Sequence, residues 1–171
     1  GRDSEAQEYF KRSIATRKAI MNVYSDYAWQ EKITGHIEEA EPHAKTAVEL
    51  IPEARKNHSE DYNTLINAAI AYIVLNQLDE AKNLLSELKK QFPDCKEYYR
   101  QIGRILKTEG KLEEALEAYS KYLEDGEACR GFSERAEILK KLKRLDEAKK
   151  DLETAKAKGY FLAEKEISEL S

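Results

Sequence analysis

The strongest constraint on this chain is a dipeptide, Glu-Ala, that recurs in a matching context. It occurs at Glu39-Ala40, Glu80-Ala81, Glu114-Ala115 and Glu147-Ala148. The alanines of these pairs are 41, 34 and 33 residues apart. The same dipeptide also occurs at Glu5-Ala6, in a less similar context, 34 residues before Ala40. Repetition at a period of about 20 to 50 residues is the signature of stacked supersecondary units. The chain is therefore predicted to be a repeat protein.

The residues around each dipeptide predict a pair of helices. Twelve positions before the last three alanines stand the small residues Ala69, Gly103 and Ala136. Four and seven positions after them stand Leu85, Leu88, Tyr119, Tyr122, Leu152 and Ala155. Such spacings place side chains on one face of a helix, and small residues let two helices approach closely. Because sustained strand alternation is absent and Gly and Pro number only 7 and 3, the sequence predicts an all-α chain.

These positions carry a resemblance to the tetratricopeptide repeat family. The matching residues are Ala69, Tyr72, Ala81 and Pro93 in one unit, Tyr99, Gly103, Ala115 and Tyr119 in the next, and Ala136, Leu139 and Ala148 in the last. The resemblance is clear over 62–161 and weaker over 21–54. It implies an α-solenoid of about four antiparallel helix pairs, with an N-terminal helix and a C-terminal capping helix. It also implies a non-enzymatic module for protein–protein interaction.

The predicted organisation has six parts. Residues 1–20 contain a cleavage scar at Gly1 and an N-terminal helix, and residues 21–61 form a divergent unit. Three regular units follow at 62–95, 96–128 and 129–161, and residues 162–171 form a capping helix. We expect the chain to be cut from a larger protein. Residues 3–20 form either half of a cut repeat or one long helix running into 21–34.

Two features make the first unit divergent. A polar insertion at 55–61 predicts either a longer loop or an extra helical turn. Pro42 falls two residues after Ala40 and would remove one helical hydrogen bond unless the second helix begins after it.

Composition and motifs exclude several classes of function. The formal net charge is -4, whereas general nucleic-acid binding needs a basic face. Apolar runs of a few residues are too short to span a bilayer. Phosphate-binding loops and nucleophile motifs are absent, so we predict no catalysis, no cofactor and no metal.

His36 and His43 are interpreted as exposed polar side chains. Cys95 and Cys129 are predicted to be unpaired, which favours a reducing compartment and a cytoplasmic location.

In this family the first helices line a concave groove, and the resemblance indicates which side chains point into it. The candidate peptide-binding residues are Trp29, Asn63, Ile66, Asn67, Ile70, Arg100, Arg104, Lys107 and Arg130. Asn63 and Asn67 lie one helical turn apart and suit hydrogen bonds to a ligand backbone. Arg100 and Arg104 have the same spacing and suit a carboxylate. We predict a peptide ligand with an apolar anchor followed by acidic residues.

Three other interpretations stay open. Trp29, Ile66 and Ile70 could pack under the N-terminal helix instead of facing a ligand. The module could associate with a second copy of itself as a homodimer. RNA binding, as in related helical repeats, is the third; it predicts steep salt dependence, and the net charge of -4 argues against it.

Overall fold

The computed structural model describes residues 21–57, 61–125, 128–160 and 162–170. These residues form helices and turns and contain no strand, which confirms the all-α prediction. The chain divides into two compact units, unit 1 (Gly1–Cys95) and unit 2 (Lys96–Ser171). The predictions made for Gly1 and for residues 3–20 lie outside the described residues.

The described part of each unit is a series of antiparallel helices. Unit 1 contains α1 (Met21–Thr34), α2 (Ile37–Glu49), α3 (Ile51–Asn57), α4 (Tyr62–Val74) and α5 (Leu78–Gln91). Unit 2 contains α6 (Glu97–Thr108), α7 (Leu112–Tyr122), α8 (Cys129–Lys141), α9 (Leu145–Ala157) and α10 (Ala163–Ser168). These helix bounds do not by themselves define where one repeat ends and the next begins, so the repeat boundaries remain predictions.

Small residues bring the two helices of each hairpin together. Helix α1 packs on α2, α4 on α5, α6 on α7 and α8 on α9. The alanines of the recurring dipeptide, Ala40, Ala81, Ala115 and Ala148, are all buried. The same holds for Ala69, Gly103 and Ala136, which stand twelve positions before the last three. The spacing pattern in the sequence therefore marks the contact faces of the helices.

Each hairpin turn contains one residue in the left-handed conformation. These residues are Gly35, Asn76, Gly110 and Lys143, with φ of 89°, 59°, 77° and 60°. The next residue donates its backbone N–H to a carbonyl five positions earlier, as Arg144 does to Leu139 at 2.9 Å. This geometry closes the preceding helix and favours glycine, because other residues carry a Cβ that crowds the backbone. Lys143 is thus an unfavourable residue at its position.

Replacing Lys143 by glycine should raise the free energy of unfolding by about 0.5 to 1 kcal/mol, because a non-glycine residue in this conformation costs about 1 to 2 kcal/mol and glycine is more flexible when unfolded. Lys149→Gly is the matched control: this exposed residue lies in the interior of α9, where glycine should cost about 1 kcal/mol. Urea unfolding measures both. A loss of stability in Lys143→Gly would contradict the assignment of strain to Lys143.

The structure decides between the two alternatives left open for Pro42. Helix α2 begins at Ile37, so Pro42 lies inside it rather than before it. Because proline has no N–H, the carbonyl of Glu38, an exposed residue, lacks its usual helical donor.

The predicted polar insertion at 55–61 begins inside a helix, and its residues 58–60 lie outside the described residues. Residues 51–57 form a separate helix, α3, and Pro52 sits in its first turn, where a backbone N–H is not needed. Arg55 donates from Nη2 to Oε2 of Glu87 at 2.7 Å and from Nη1 to Oε1 at 3.3 Å. Ile51 and Ala54 pack against the buried cluster of Met21, Ala47, Ala68 and Ala71.

Candidate functional site

Unit 1 contains a small cavity whose lining includes two of the predicted peptide-binding residues. Its volume is about 150 Å³, and it is lined by Met21, Asn22, Ala54, Asp61, Asn63, Thr64 and Asn67. We call it the asparagine cavity. Met21 and Ala54 supply apolar surface, and three carboxamides supply paired donors and acceptors.

The start of α4 positions two of these carboxamides. Asp61 caps the helix by accepting a hydrogen bond from the backbone N–H of Asn63 at 2.9 Å. The same oxygen accepts from Nδ2 of Asn63 at 2.8 Å, which fixes the rotamer of that side chain. Asn67 follows one turn later on α4. The predicted pairing of Asn63 and Asn67 on one helical face therefore matches their common position at the cavity.

Several polar groups at the cavity have no hydrogen-bond partner among the described residues. Neither end of the Asn67 carboxamide is engaged, and the side chain is half-buried. Asn22 uses Oδ1 to accept from the N–H of Val23 at 3.0 Å, which leaves its Nδ2 group available. These amide groups keep contact with solvent, so a polar ligand can bond to them without breaking a hydrogen bond inside the protein.

The apolar candidates of unit 1 are placed differently. Ile66 and Ile70 are each 6% exposed, so they belong to the packed interior rather than to an open groove. Trp29 is half-buried on α1 and contacts other residues. The alternative in which these three pack under the N-terminal helix involves residues 3–20, which lie outside the described residues.

Unit 2 places the predicted arginine pair around a carboxylate of the chain itself. Arg100 donates to Glu134 from Nε at 3.1 Å and from Nη2 at 2.8 Å. Arg104 donates from Nη2 at 2.7 Å, and the Tyr119 hydroxyl donates at 2.9 Å. We call Arg100, Arg104 and Tyr119 the arginine cage. The sequence predicted the chemistry of a carboxylate clamp but not that Glu134 fills it.

The cage lies largely out of solvent, which strengthens its electrostatics. The side chains of Arg104, Arg100 and Glu134 are 3%, 14% and 18% exposed. Burial alone would raise the pKa of Glu134, but the charges of Arg104 and Arg100 outweigh it and hold that pKa well below its usual range. Burial and the nearby Glu134 charge raise the pKa of Tyr119. Glu134 is therefore ionised and the tyrosine neutral at neutral pH.

The other two basic candidates of unit 2, Lys107 and Arg130, are placed differently from each other. Lys107 donates to Glu137 at 2.7 Å, whereas Arg130 on α8 is exposed. Tyr122 donates to Glu97 at 2.9 Å. Burial, offset in part by Arg100 and reinforced by Glu97, raises the pKa of Tyr122 to about 12. Most of the predicted basic charge on α6 is thus neutralised inside the unit.

One pair in unit 1 was not predicted from the sequence. Glu31 is 4% exposed, and its Oε2 lies 2.8 Å from Nδ1 of His43. His43 is therefore half-buried and paired, not simply exposed as expected; His36, exposed, lies 2.9 Å from the Thr34 hydroxyl. The available signal was an acidic residue three positions after buried Ala28 on the apolar face of α1.

Three further observations concern metal binding, the cysteines and membrane spans in the described residues. Among residues 21–57, 61–125, 128–160 and 162–170, no group of three His, Cys, Asp or Glu side chains is placed to hold a metal ion. Cys95 and Cys129 are both free thiols. None of the described helices combines the length and the apolar character needed to cross a membrane.

Sequence comparisons place the chain beside known repeat proteins. A family model described as tetratricopeptide repeat matches residues 34–105, and a second with the same description matches 96–124 and 132–157. Together they span more than half of the chain. The bovine (Bos taurus) BBSome complex member BBS4 is 33% identical over 81 residues, which is 47% of this chain but 15% of that protein.

Solved structures show the same fold at low identity. A thermophilic TPR protein from Thermus thermophilus has a TM-score of 0.66 at 17% identity, over 99% of this chain and 91% of that one. A tetratricopeptide repeat protein from Parabacteroides merdae has a TM-score of 0.63 at 16% identity, over 99% and 77%. These likenesses confirm the predicted fold class of repeated helix pairs.

Proposed function

Because the chain belongs to the tetratricopeptide repeat family, we propose that it is a non-enzymatic interaction module that binds an extended segment of a protein partner at the asparagine cavity. Repeats of this family serve in general as scaffolds for protein–protein interaction. The bovine relative is a member of a protein complex, which agrees with such a role.

The observation that carries this proposal is the Asn67 carboxamide, which lines a small cavity and makes no hydrogen bond within the described part of the chain. A carboxamide can donate to a backbone carbonyl and accept from a backbone N–H, so it suits an extended peptide whatever its side chains. Asn63 lies one turn earlier on α4. Its Nδ2 donates to Asp61, which leaves Oδ1 as the group that can accept a hydrogen bond from a peptide N–H. The apolar part of the lining, Met21 and Ala54, favours a small aliphatic side chain as the anchor.

The sequence predicted acidic residues in the ligand, but the basic side chains that would bind them already pair with carboxylates of this chain. Arg100 and Arg104 are both bonded to Glu134, and Lys107 is bonded to Glu137. A partner carboxylate would have to displace an internal one from a buried position. We therefore place the specificity in unit 1, in a backbone clamp and a small apolar anchor.

Replacing Asn67 by alanine should weaken binding about tenfold, because truncation leaves partner amides without hydrogen bonds. The experiment selects ligands from a random peptide library on the wild-type chain and then measures their affinity for the variant. Asn83→Ala, an exposed asparagine on α5, is the matched control and should bind as the wild type does. Equal affinities of wild type and Asn67→Ala would contradict the proposed site.

Self-association is the second candidate function, and one observation favours it. Ile33 and Ile37, at the turn between α1 and α2, are 53% and 65% exposed. Exposed apolar side chains that form a contiguous patch mark an interaction surface, and these two residues are four positions apart in the chain. If no peptide is enriched and the molar mass rises with concentration in sedimentation, self-association replaces peptide binding as the explanation.

A further inference from the structure

The carboxylate of Glu134 is held as a bound ligand would be. Arg100 contributes two hydrogen bonds from one guanidinium group, in the side-on geometry that matches a carboxylate. Arg104 and Tyr119 each add one, so each oxygen of Glu134 accepts two hydrogen bonds. The donors come from α6 and α7, while the carboxylate comes from α8. The cage is thus assembled without any contribution from the helix that fills it.

The groups of the cage are held in place by contacts other than Glu134. Nη1 of Arg104 donates to the side-chain oxygen of Gln101 at 3.0 Å, and Gln101 in turn donates to Glu97 at 3.2 Å. Arg100 lies 3.5 Å from a carboxylate oxygen of Glu97 and over the ring of Tyr122. The Tyr119 ring packs against Gly103 and is fully buried. Removing the Glu134 side chain therefore leaves the donors supported.

We infer that the arginine cage is a binding site for a small monocarboxylate, which the chain fills with its own Glu134. Truncation of Glu134 at Cβ deletes Cγ, Cδ and both carboxylate oxygens, which are the non-hydrogen atoms of an acetate ion. Acetate therefore fits the vacated space, formate underfills it and propionate exceeds it. The side chains of Arg100 and Glu134 keep some exposure, which gives an ion access. This inference concerns unit 2 and goes beyond the proposed peptide binding.

The test is chemical rescue of the Glu134→Ala variant. Acetate at about ten times its dissociation constant should raise the folded-to-unfolded ratio about elevenfold. For a chain of this length that corresponds to a rise in melting temperature of about 3 to 6 °C. The comparison is with sodium chloride at equal ionic strength, so general screening is removed. Formate and propionate should each give a smaller shift than acetate.

Three controls assign the effect to the cage. Glu137→Ala removes a carboxylate from the same helix, where it is bonded to Lys107 and is 45% exposed, so acetate should do nothing beyond chloride. Glu134→Gln fills the space and should also be unaffected, as should the wild type. If Glu134→Ala is unfolded in chloride, acetate should restore its helical circular dichroism. A shift no larger than that of Glu137→Ala, or no recovery of an unfolded variant, would overturn the inference.

Discussion

Replacing Glu134 by alanine should lower the free energy of unfolding by about 3 to 5 kcal/mol, the usual cost of removing one partner from a buried ion pair. The guanidinium groups of Arg100 and Arg104 would remain in a site where they are only 14% and 3% exposed. Each would lose its main counter-charge, and the Tyr119 hydroxyl would lose its acceptor. The loss exceeds that of a surface pair because water cannot fully replace the carboxylate.

The matched control for this loss is Glu137→Ala. Its carboxylate is bonded to Lys107 but is 45% exposed, so its removal should cost less than about 1 kcal/mol. Urea unfolding followed by circular dichroism measures both variants. If the two variants lose the same stability, the arginine cage is not the strong interaction that its geometry indicates.

The same cage makes stability depend on pH in a defined direction. The pKa of Glu134 is held below its usual range in the folded state, so the unfolded chain binds a proton first as the pH falls. The stabilisation is complete above the ordinary glutamate pKa of about 4.3 and is lost as the pH falls below it toward the folded-state value. Glu134→Gln should therefore show a shallower loss of stability in acid than the wild type.

Replacing Gly103 by alanine should lower the free energy of unfolding by roughly 2 kcal/mol, although alanine favours a helix more than glycine does. A Cβ at this position would lie 2.6 Å from Cε2 and 2.7 Å from Cδ2 of Tyr119. That ring is fully buried, and its hydroxyl is held by Glu134, so it cannot move aside without breaking the cage. Overpacking therefore outweighs the gain in helix propensity.

A double-mutant cycle isolates this contact. Tyr119→Leu removes Cε2 and Cζ, two of the three ring atoms that the new Cβ would meet, so Gly103→Ala should cost less in that background than in the wild type. Unfolding in urea measures the four proteins of the cycle. An unchanged cost in the Tyr119→Leu background would show that the close approach of Gly103 to Tyr119 is not what requires glycine.

The fold could be predicted from the sequence because its main signal is periodic. Buried Ala81, Ala115 and Ala148 recur at nearly constant spacing, and a repeated pattern averages out local irregularities. Local departures from this periodic pattern were harder to predict. Pro42 lies inside α2 although it has no N–H to donate, and α3 packs through Ile51 and Ala54 on a buried cluster formed by other helices. Neither is visible in helical periodicity.

The candidate site could be predicted only by residue type. One-turn spacing identified Asn63 and Asn67 as neighbours on α4, and Arg100 and Arg104 as neighbours on α6; peptide binding by these residues stays a prediction. The spacing could not show that the occupant is Glu134, because that contact joins residues 34 and 30 positions apart on another helix. It also could not separate Ile66, which is buried, from Asn67, which borders a cavity. Occupancy depends on tertiary packing.

The most direct test of peptide binding at the asparagine cavity is a nuclear magnetic resonance titration with a peptide selected on the wild-type chain. The side-chain NH₂ signals of asparagine report each carboxamide separately, and Asn83 provides an internal control on α5. We expect the signals of Asn63 and Asn67 to shift on binding while that of Asn83 stays in place. Shifts confined to Arg100, Arg104 and their neighbours, with the asparagine signals unchanged, would contradict the proposed site.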